Sequence, residues 1–283
     1  MGVVPYTAYY ENSRGEVLRL DEAPWILIGG DVFDAKWQLV TAPRAIGEGE
    51  RLLRGRRPCD ERTLEIAVVA QSAGELAERL EQMSDILEYD LHRAKAGRLW
   101  ISGRYLSCWC RASAKELSCD FPMMARLTLK VYPQMPVWCA ERKYRFSPNS
   151  GEESGHRYPY RYPYRYGTGR RSLTLVNRST APAPMRIVFY GPVINPRVLV
   201  GAIDIGIDVT LESGEYAVVD QLTREVYSVS RSGVRSNCFD SRRKTGMTFE
   251  SAPPGSSTVQ LVSGEMMDIT LIEQRSEPRW SCD

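Results

Sequence analysis

At 283 residues the chain has room for two domains, each with its own core. Apolar residues make up 43% and charged residues 25%, the proportions of a globular protein, and no apolar run approaches the roughly 20 residues that cross a bilayer. The formal net charge is +2, yet residues 141–170 hold seven Lys/Arg against three Asp/Glu, so the excess lies in a connector and neither flanking half has the basic bias of a nucleic-acid binder.

The N-terminus, Met1-Gly2-Val3-Val4-Pro5-Tyr6, has neither a basic nor an apolar signal region, so no signal peptide is expected. Extended stretches at 16–20 and 24–28 lead through Gly29-Gly30-Asp31 into another at 36–41. Residues 42–62 are polar and rich in glycine and arginine. They read as a loop carrying Arg51, Arg54, Arg56 and Arg57, either solvated or packed on a neighbouring subunit, since long ordered loops usually have a task. Leu64, Ile66 and Val68 then alternate in a strand that enters the one long helical pattern of the chain.

Ser72 and Glu75 are spaced as a capping box, each side chain placed to satisfy an N–H of the first turn. Leu76, Leu80, Met83, Leu87 and Leu91 draw one apolar stripe, and Gly97 is expected to take the left-handed stop. The helix, over about 72–96, is ~36 Å long at 1.5 Å per residue. A helix with a single apolar stripe has to lie on a sheet. Ser102-Gly103 marks a hairpin after it, and 123–131 alternate as a half-buried strand that Pro133 and Pro136 end. The first domain, 1–140, is thus expected to be α+β and mostly β.

Residues 141–170 have no apolar periodicity and contain the repeat Tyr158-Pro159-Tyr160-Arg161-Tyr162-Pro163-Tyr164-Arg165-Tyr166. Proline biases the residue before it to extended geometry, so the repeat reads as a stretched connector. Tyr158, Tyr160, Tyr162 and Tyr164 suit docking on either domain or on a partner. Their alternation with arginine also resembles a stacking platform for single-stranded nucleic acid, the lesser reading. From 173 onward some eight short strands are expected, among them 248–250 and a long alternating strand over 203–212. Such spacing indicates a β-sandwich or barrel.

The usual signatures of chemistry are missing. Seven cysteines form no C-x-x-C pair, and Cys108 and Cys110 flank Trp109 on one strand face, so buried reduced thiols are expected. The two histidines, His92 and His156, fall on the helix surface and in the connector. Asp204 and Asp208 would share a strand face ~13 Å apart at about 3.3 Å per residue. That is outside the roughly 6.5–9.5 Å window of an inverting glycosidase. No catalytic residue, cofactor or metal is expected.

Arg62-Thr63-Leu64-Glu65-Ile66-Ala67-Val68 enters the helix, and Leu127-Thr128-Leu129-Lys130-Val131-Tyr132-Pro133 closes the first domain. The second half carries Asn177, then Ala183-Pro184-Met185-Arg186-Ile187, Gly191-Pro192 and Asn195-Pro196. Ser213-Gly214-Glu215-Tyr216 with Asp220 follows, and then Pro253-Pro254-Gly255. In this order the motifs resemble the distal tail (Dit) proteins of long, flexible-tailed phages. The resemblance implies a mainly β fold with one long helix: an α+β tail-tube-like domain over 1–140, and a galectin-like β-sandwich over 171–283. It implies a structural virion protein at the tail tip, assembled in the host cytoplasm as a hexameric ring with a channel for DNA in transit. The partners implied are further copies of the chain, the tail-tube protein, a tail-associated hub or fibre protein, and receptor-binding or baseplate proteins. Gly191, Pro192, Asn195, Pro196, Pro253 and Gly255 would be its signature turns. The alternative is a carbohydrate-binding module for host adhesion, for which Trp280 is the only tryptophan of the second half.

Overall fold

The computed structural model describes residues 6–117, 123–146 and 172–280. The chain divides into two compact units, Met1–Ala140 with Gln274–Asp283, and Glu141–Glu273. The protein is mainly β with one α-helix among the described residues.

The first unit begins with β1 (Ala8–Glu11), β2 (Val17–Arg19), β3 (Asp21–Glu22) and β4 (Trp25–Gly30). A separate pair, β5 (Gln38–Pro43) and β6 (Glu50–Arg56), precedes β7 (Arg62–Val69) and α1 (Ala73–Arg93). Then come β8 (Gly97–Ile101), β9 (Arg104–Leu117), β10 (Met124–Pro133) and the start of β11 (Trp138–Phe146). Strand order runs β2-β1-β8-β9-β10-β7-β4-β3, all antiparallel. The segment holding β2 and β3 pairs with β1 on one side and β4 on the other, so the sheet curls back on itself. Period-two alternation is what allows this. Leu64, Ile66 and Val68 of β7 and Leu127, Leu129 and Val131 of β10 all point into one core. Ser102 and Gly103 both take positive φ in the β8–β9 hairpin.

Helix α1 lays Leu76, Met83, Ile86 and Leu87 on that core, with Leu80 partly buried. Ser72 caps it, its hydroxyl accepting from Glu75 N at 3.1 Å. The Glu75 carboxylate accepts from Gln71 N at 2.8 Å, one residue before the cap, so the reciprocal half of the box is displaced. Two expectations fail at the C-terminal end. Leu91 is half exposed, and its place on the stripe belongs to Ile86 and to Asp90, which is fully buried. Asp90 accepts from Tyr10 Oη at 2.5 Å and from Ser13 N at 2.7 Å, tying the β1–β2 turn to the helix. Gly97 does not stop the helix. Ala94 takes the left-handed position at φ 50, while a Cβ at Gly97 would collide with the Tyr10 hydroxyl and the Asp90 carboxylate. The helix accordingly ends at Arg93, short of the expected 96.

The second unit contains β12 (Ser172–Asn177), β13 (Met185–Tyr190), β14 (Val193–Ile194), β15 (Arg197–Val200), β16 (Ile203–Gly206) and β17 (Thr210–Leu211). These are followed by β18 (Tyr216–Asp220), β19 (Glu225–Val229), β20 (Arg235–Asn237), β21 (Gly255–Ser263) and all but the last two residues of β22 (Met267–Arg275). One sheet runs β20-β19-β18-β13-β22-β11 and another runs β12-β21-β15-β16. Their inward side chains, including Ile187, Phe189 and Ile269 from the first and Leu175, Val198 and Val259 from the second, share one core.

The alternating run at 203–212 is not one strand. β16 ends at Gly206, whose carbonyl accepts from Arg243 N at 2.9 Å, and Asp208 N donates to Ser241 O at 2.7 Å. The 238–247 segment therefore takes the backbone bonds that would have extended the strand, and β17 pairs with β14 instead. Residues 248–250 are a turn rather than a strand. The Thr248 and Glu250 carbonyls accept from Gln221 Nε2 at 3.0 and 2.8 Å, so a buried side chain satisfies them.

Candidate assembly interface

β5 and β6 form a two-stranded ribbon, from Gln38 opposite Arg56 to Pro43 opposite Glu50, with a register shift between Val40 and Thr41. The expected loop at 42–62 therefore holds the end of β5 and the whole of β6. Its turn uses Gly47 and Gly49 at φ 86 and 99, a region that costs glycine nothing and other residues strain. Directly opposed residues share a face, so the register sorts the side chains. Leu39 lies opposite Gly55 and Thr41 opposite Leu52, and Trp37, two residues before Leu39, joins that apolar side. Gln38, Val40 and Ala42 lie opposite Arg56, Arg54 and Arg51, so these three arginines share the other side.

Every residue of the two strands is exposed except Ala42, which is half-buried. Leu39 is 61% exposed, Leu52 58%, and Ile46 at the turn 92%. Arg57 leaves the row and sits over the Trp37 ring, 4.9 Å from its centroid, where burial pushes its guanidinium below the ordinary value. Arg56 Nε donates to Gln38 Oε1 at 2.8 Å. Arg51 and Arg54 have no ion-pair partner among the described residues. A two-stranded hairpin alone in water is marginal at best, so this ribbon, bare on both faces, has the form of a surface built to be covered.

The six residues expected to mark signature turns all lie in the second unit. A Cβ at Gly191 would strike the Glu212 carbonyl, and Gly191 N donates to Glu215 O at 2.9 Å. Pro192 leads into β14. Asn195 takes the left-handed conformation at φ 50, and Pro196 O accepts from Ile207 N at 3.1 Å. Pro253 is exposed, and Gly255, at φ 93, opens β21 opposite Asn177. Asn177 is buried, with Nδ2 donating to Ala181 O and Ala252 O at 3.0 Å each. These residues hold turns and are not gathered at one place.

Tyr158, Tyr160, Tyr162, Tyr164 and His156 lie outside the described residues. His92 is exposed. Asp204 is held by Arg197 through two hydrogen bonds of 2.9 and 2.8 Å, which keep its carboxyl below the ordinary range. Burial pushes the Cys108 thiol up to about 12 and Cys110 to about 11, so neither is a ready nucleophile. Trp280 stacks on Phe33, ring centroids 4.6 Å apart, both in the first unit. Among the described residues no group of three His, Cys, Asp or Glu is placed to hold a metal ion, and no helix is long and apolar enough to cross a membrane. The extended stretch expected at 36–41 overlaps β5, while β6 fell inside the expected loop; the signal that would have shown it is Gly47-Glu48-Gly49 just before a run that holds Leu52 and Leu53.

No family model and no curated protein matches the chain by sequence. The fold does match solved structures. The Dit (gp 19.1) protein of phage SPP1, described as a paradigm of the hub adsorption apparatus in phages infecting Gram-positive hosts, is 13% identical. It aligns over 95% of this chain and 99% of its own, with a TM-score of 0.59. A chain of the phage P2 baseplate in its activated conformation with Ca aligns over 96% and 99% at 9% identity, with a TM-score of 0.66. The corresponding structure with Sr gives 0.64 at the same identity. The chain thus shares the fold of these phage tail chains over 95–96% of its length.

Proposed function

We propose that the protein is a structural component of a phage tail tip, a hub that joins the tail tube to the baseplate or the receptor-binding apparatus. Six copies form a ring around a channel for DNA in transit. In this reading residues 1–140 are the ring-forming, tail-tube-like domain and 171–283 a galectin-like sandwich that holds the outer components. Residues 141–170 connect them, with Tyr158, Tyr160, Tyr162 and Tyr164 docking on a partner. The subunits come together in the host cytoplasm and end in the virion, and no catalytic step is assigned to any residue.

The observation that carries the reading is the bare ribbon of β5 and β6. Its exposed Leu39, Leu52, Leu53 and Ile46 are uncovered in one copy, and a neighbouring copy in a closed ring covers them without leaving an open edge. The near-complete alignment with hub and baseplate chains supports a tail-tip role. Sedimentation of the purified protein, with negative-stain imaging, tests it. A species of six or twelve copies with a central hole is expected. A variant with residues 38–56 replaced by a short Gly-Ser turn is expected to stay folded and dispersed. A wild-type protein that remains a monomer across micromolar concentrations would overturn the ring.

A further inference from the structure

The first unit carries a second surface that answers the ribbon. Between α1 and the turn that enters β2 lies a groove of about 590 Å³, lined by Glu16, Glu78, Glu81 and Asp85 together with the apolar Val17 and Ile86. Glu78, Glu81 and Asp85 are spaced by three and four residues, so they form one stripe along the helix, ~10 Å long at 1.5 Å per residue. None of the three has an ion-pair partner among the described residues. Glu16 is shared with Asn12 Nδ2 at 2.9 Å and Arg14 at 3.5 Å. Val17 is 48% exposed, a large apolar side chain at the edge of a charged groove.

The arginine row of the ribbon has matching dimensions. Arg51, Arg54 and Arg56 lie opposite Ala42, Val40 and Gln38, a span of four residues or ~13 Å at 3.3 Å per residue. Val40, 49% exposed, sits among them as Val17 sits beside the carboxylates. Within one copy the two surfaces do not meet, because the ribbon is exposed along its length and the groove is open. Two different, complementary surfaces on one chain make a head-to-tail contact between copies, which closes into a ring when the rotation allows.

We infer that the arginine face of one copy's ribbon lies along the acidic groove of α1 in the next copy. The inference rests on the ring reading and names the surface that receives the ribbon. Val40 on the arginine face and Val17 with Ile86 in the groove supply apolar contact, and the opposite charges favour this pairing over contact between like rows.

Charge reversal tests it in the full-length protein. The ribbon set Arg51→Glu, Arg54→Glu and Arg56→Glu and the groove set Glu78→Lys, Glu81→Lys and Asp85→Lys are each expected to weaken assembly about tenfold or more. All six residues face solvent or the open groove, and far-UV circular dichroism checks that each variant folds. A milder set, Glu78→Gln, Glu81→Gln and Asp85→Asn, covers the case of a reversal that fails to fold, and is expected to weaken assembly several-fold. The six-fold variant, with both rows reversed, is expected to assemble again. Rings from the groove set as readily as from wild type, or a six-fold variant as dispersed as its parents, would overturn the pairing while leaving the ring intact. A wild type that forms no ring would instead remove the reading beneath it.

Discussion

The β7–β10 pair and the β5–β6 ribbon are both antiparallel, yet they use their side chains in opposite ways. Leu64, Ile66 and Val68 of β7 and Leu127, Leu129 and Val131 of β10 are at most 3% exposed, and each alternates with a polar or half-buried neighbour. The ribbon strands carry Leu39, Val40, Leu52 and Leu53 and bury none of them. The first pair is held by the unit that contains it. The second gains almost nothing from its own chain, so its apolar area has value only against something else. Burial within the copy thus separates the side chains that hold the fold from those left exposed on its surface.

Three measurements break or sharpen this contrast. Leu127, fully buried, should be costly to truncate: Leu127→Ala is expected to lower unfolding stability by about 2–5 kcal/mol in urea melts, from lost burial and the cavity left behind. A smaller, pH-dependent effect is expected at Asp204. Its carboxyl is depressed below 3.8 by Arg197, so its contribution is complete above about pH 5 and fades as the pH falls through the native value. Asp204→Asn should therefore cost about 1 kcal/mol at pH 7, for a partly exposed bidentate pair, and the difference from wild type should shrink in acid melts below about pH 4. The smallest effect belongs to the ribbon. Leu39→Asn with Leu52→Asn should change the stability of dispersed protein by no more than about 0.5 kcal/mol per site, while assembly measured by sedimentation falls. A loss at the ribbon as large as that at Leu127 would mean that the ribbon packs within its own copy.

Legibility followed the reach of the interactions. Ser72 could be read as a cap because its bond to Glu75 N closes within four residues, and the alternating strands around 64–68 and 123–131 could be read because one face is buried in each. The errors lie where a distant group takes a bond or a space. Gly97 looked like a helix stop but is required by Tyr10 and Asp90, and 203–212 looked like one strand until the 238–247 segment claimed its backbone. β6 was hidden for another reason: Leu52 and Leu53 are adjacent, so its apolar residues do not alternate.

From its residues alone this chain determined a mainly β protein with one capped amphipathic helix, and turns at Gly191, Asn195 and Gly255 that only small or left-handed-tolerant residues can make. Local sterics and nearest-neighbour hydrogen bonds are enough for the helix cap, Asn195 and Gly255, whereas Gly191 is also required by the distant Glu212 carbonyl. Tertiary structure alone decided that the arginines at 51, 54 and 56 line one side of a projecting ribbon, and that Glu78, Glu81 and Asp85 meet Glu16 and Val17 in a groove. Both depend on pairing register and on packing between segments far apart in the chain, which no local pattern encodes.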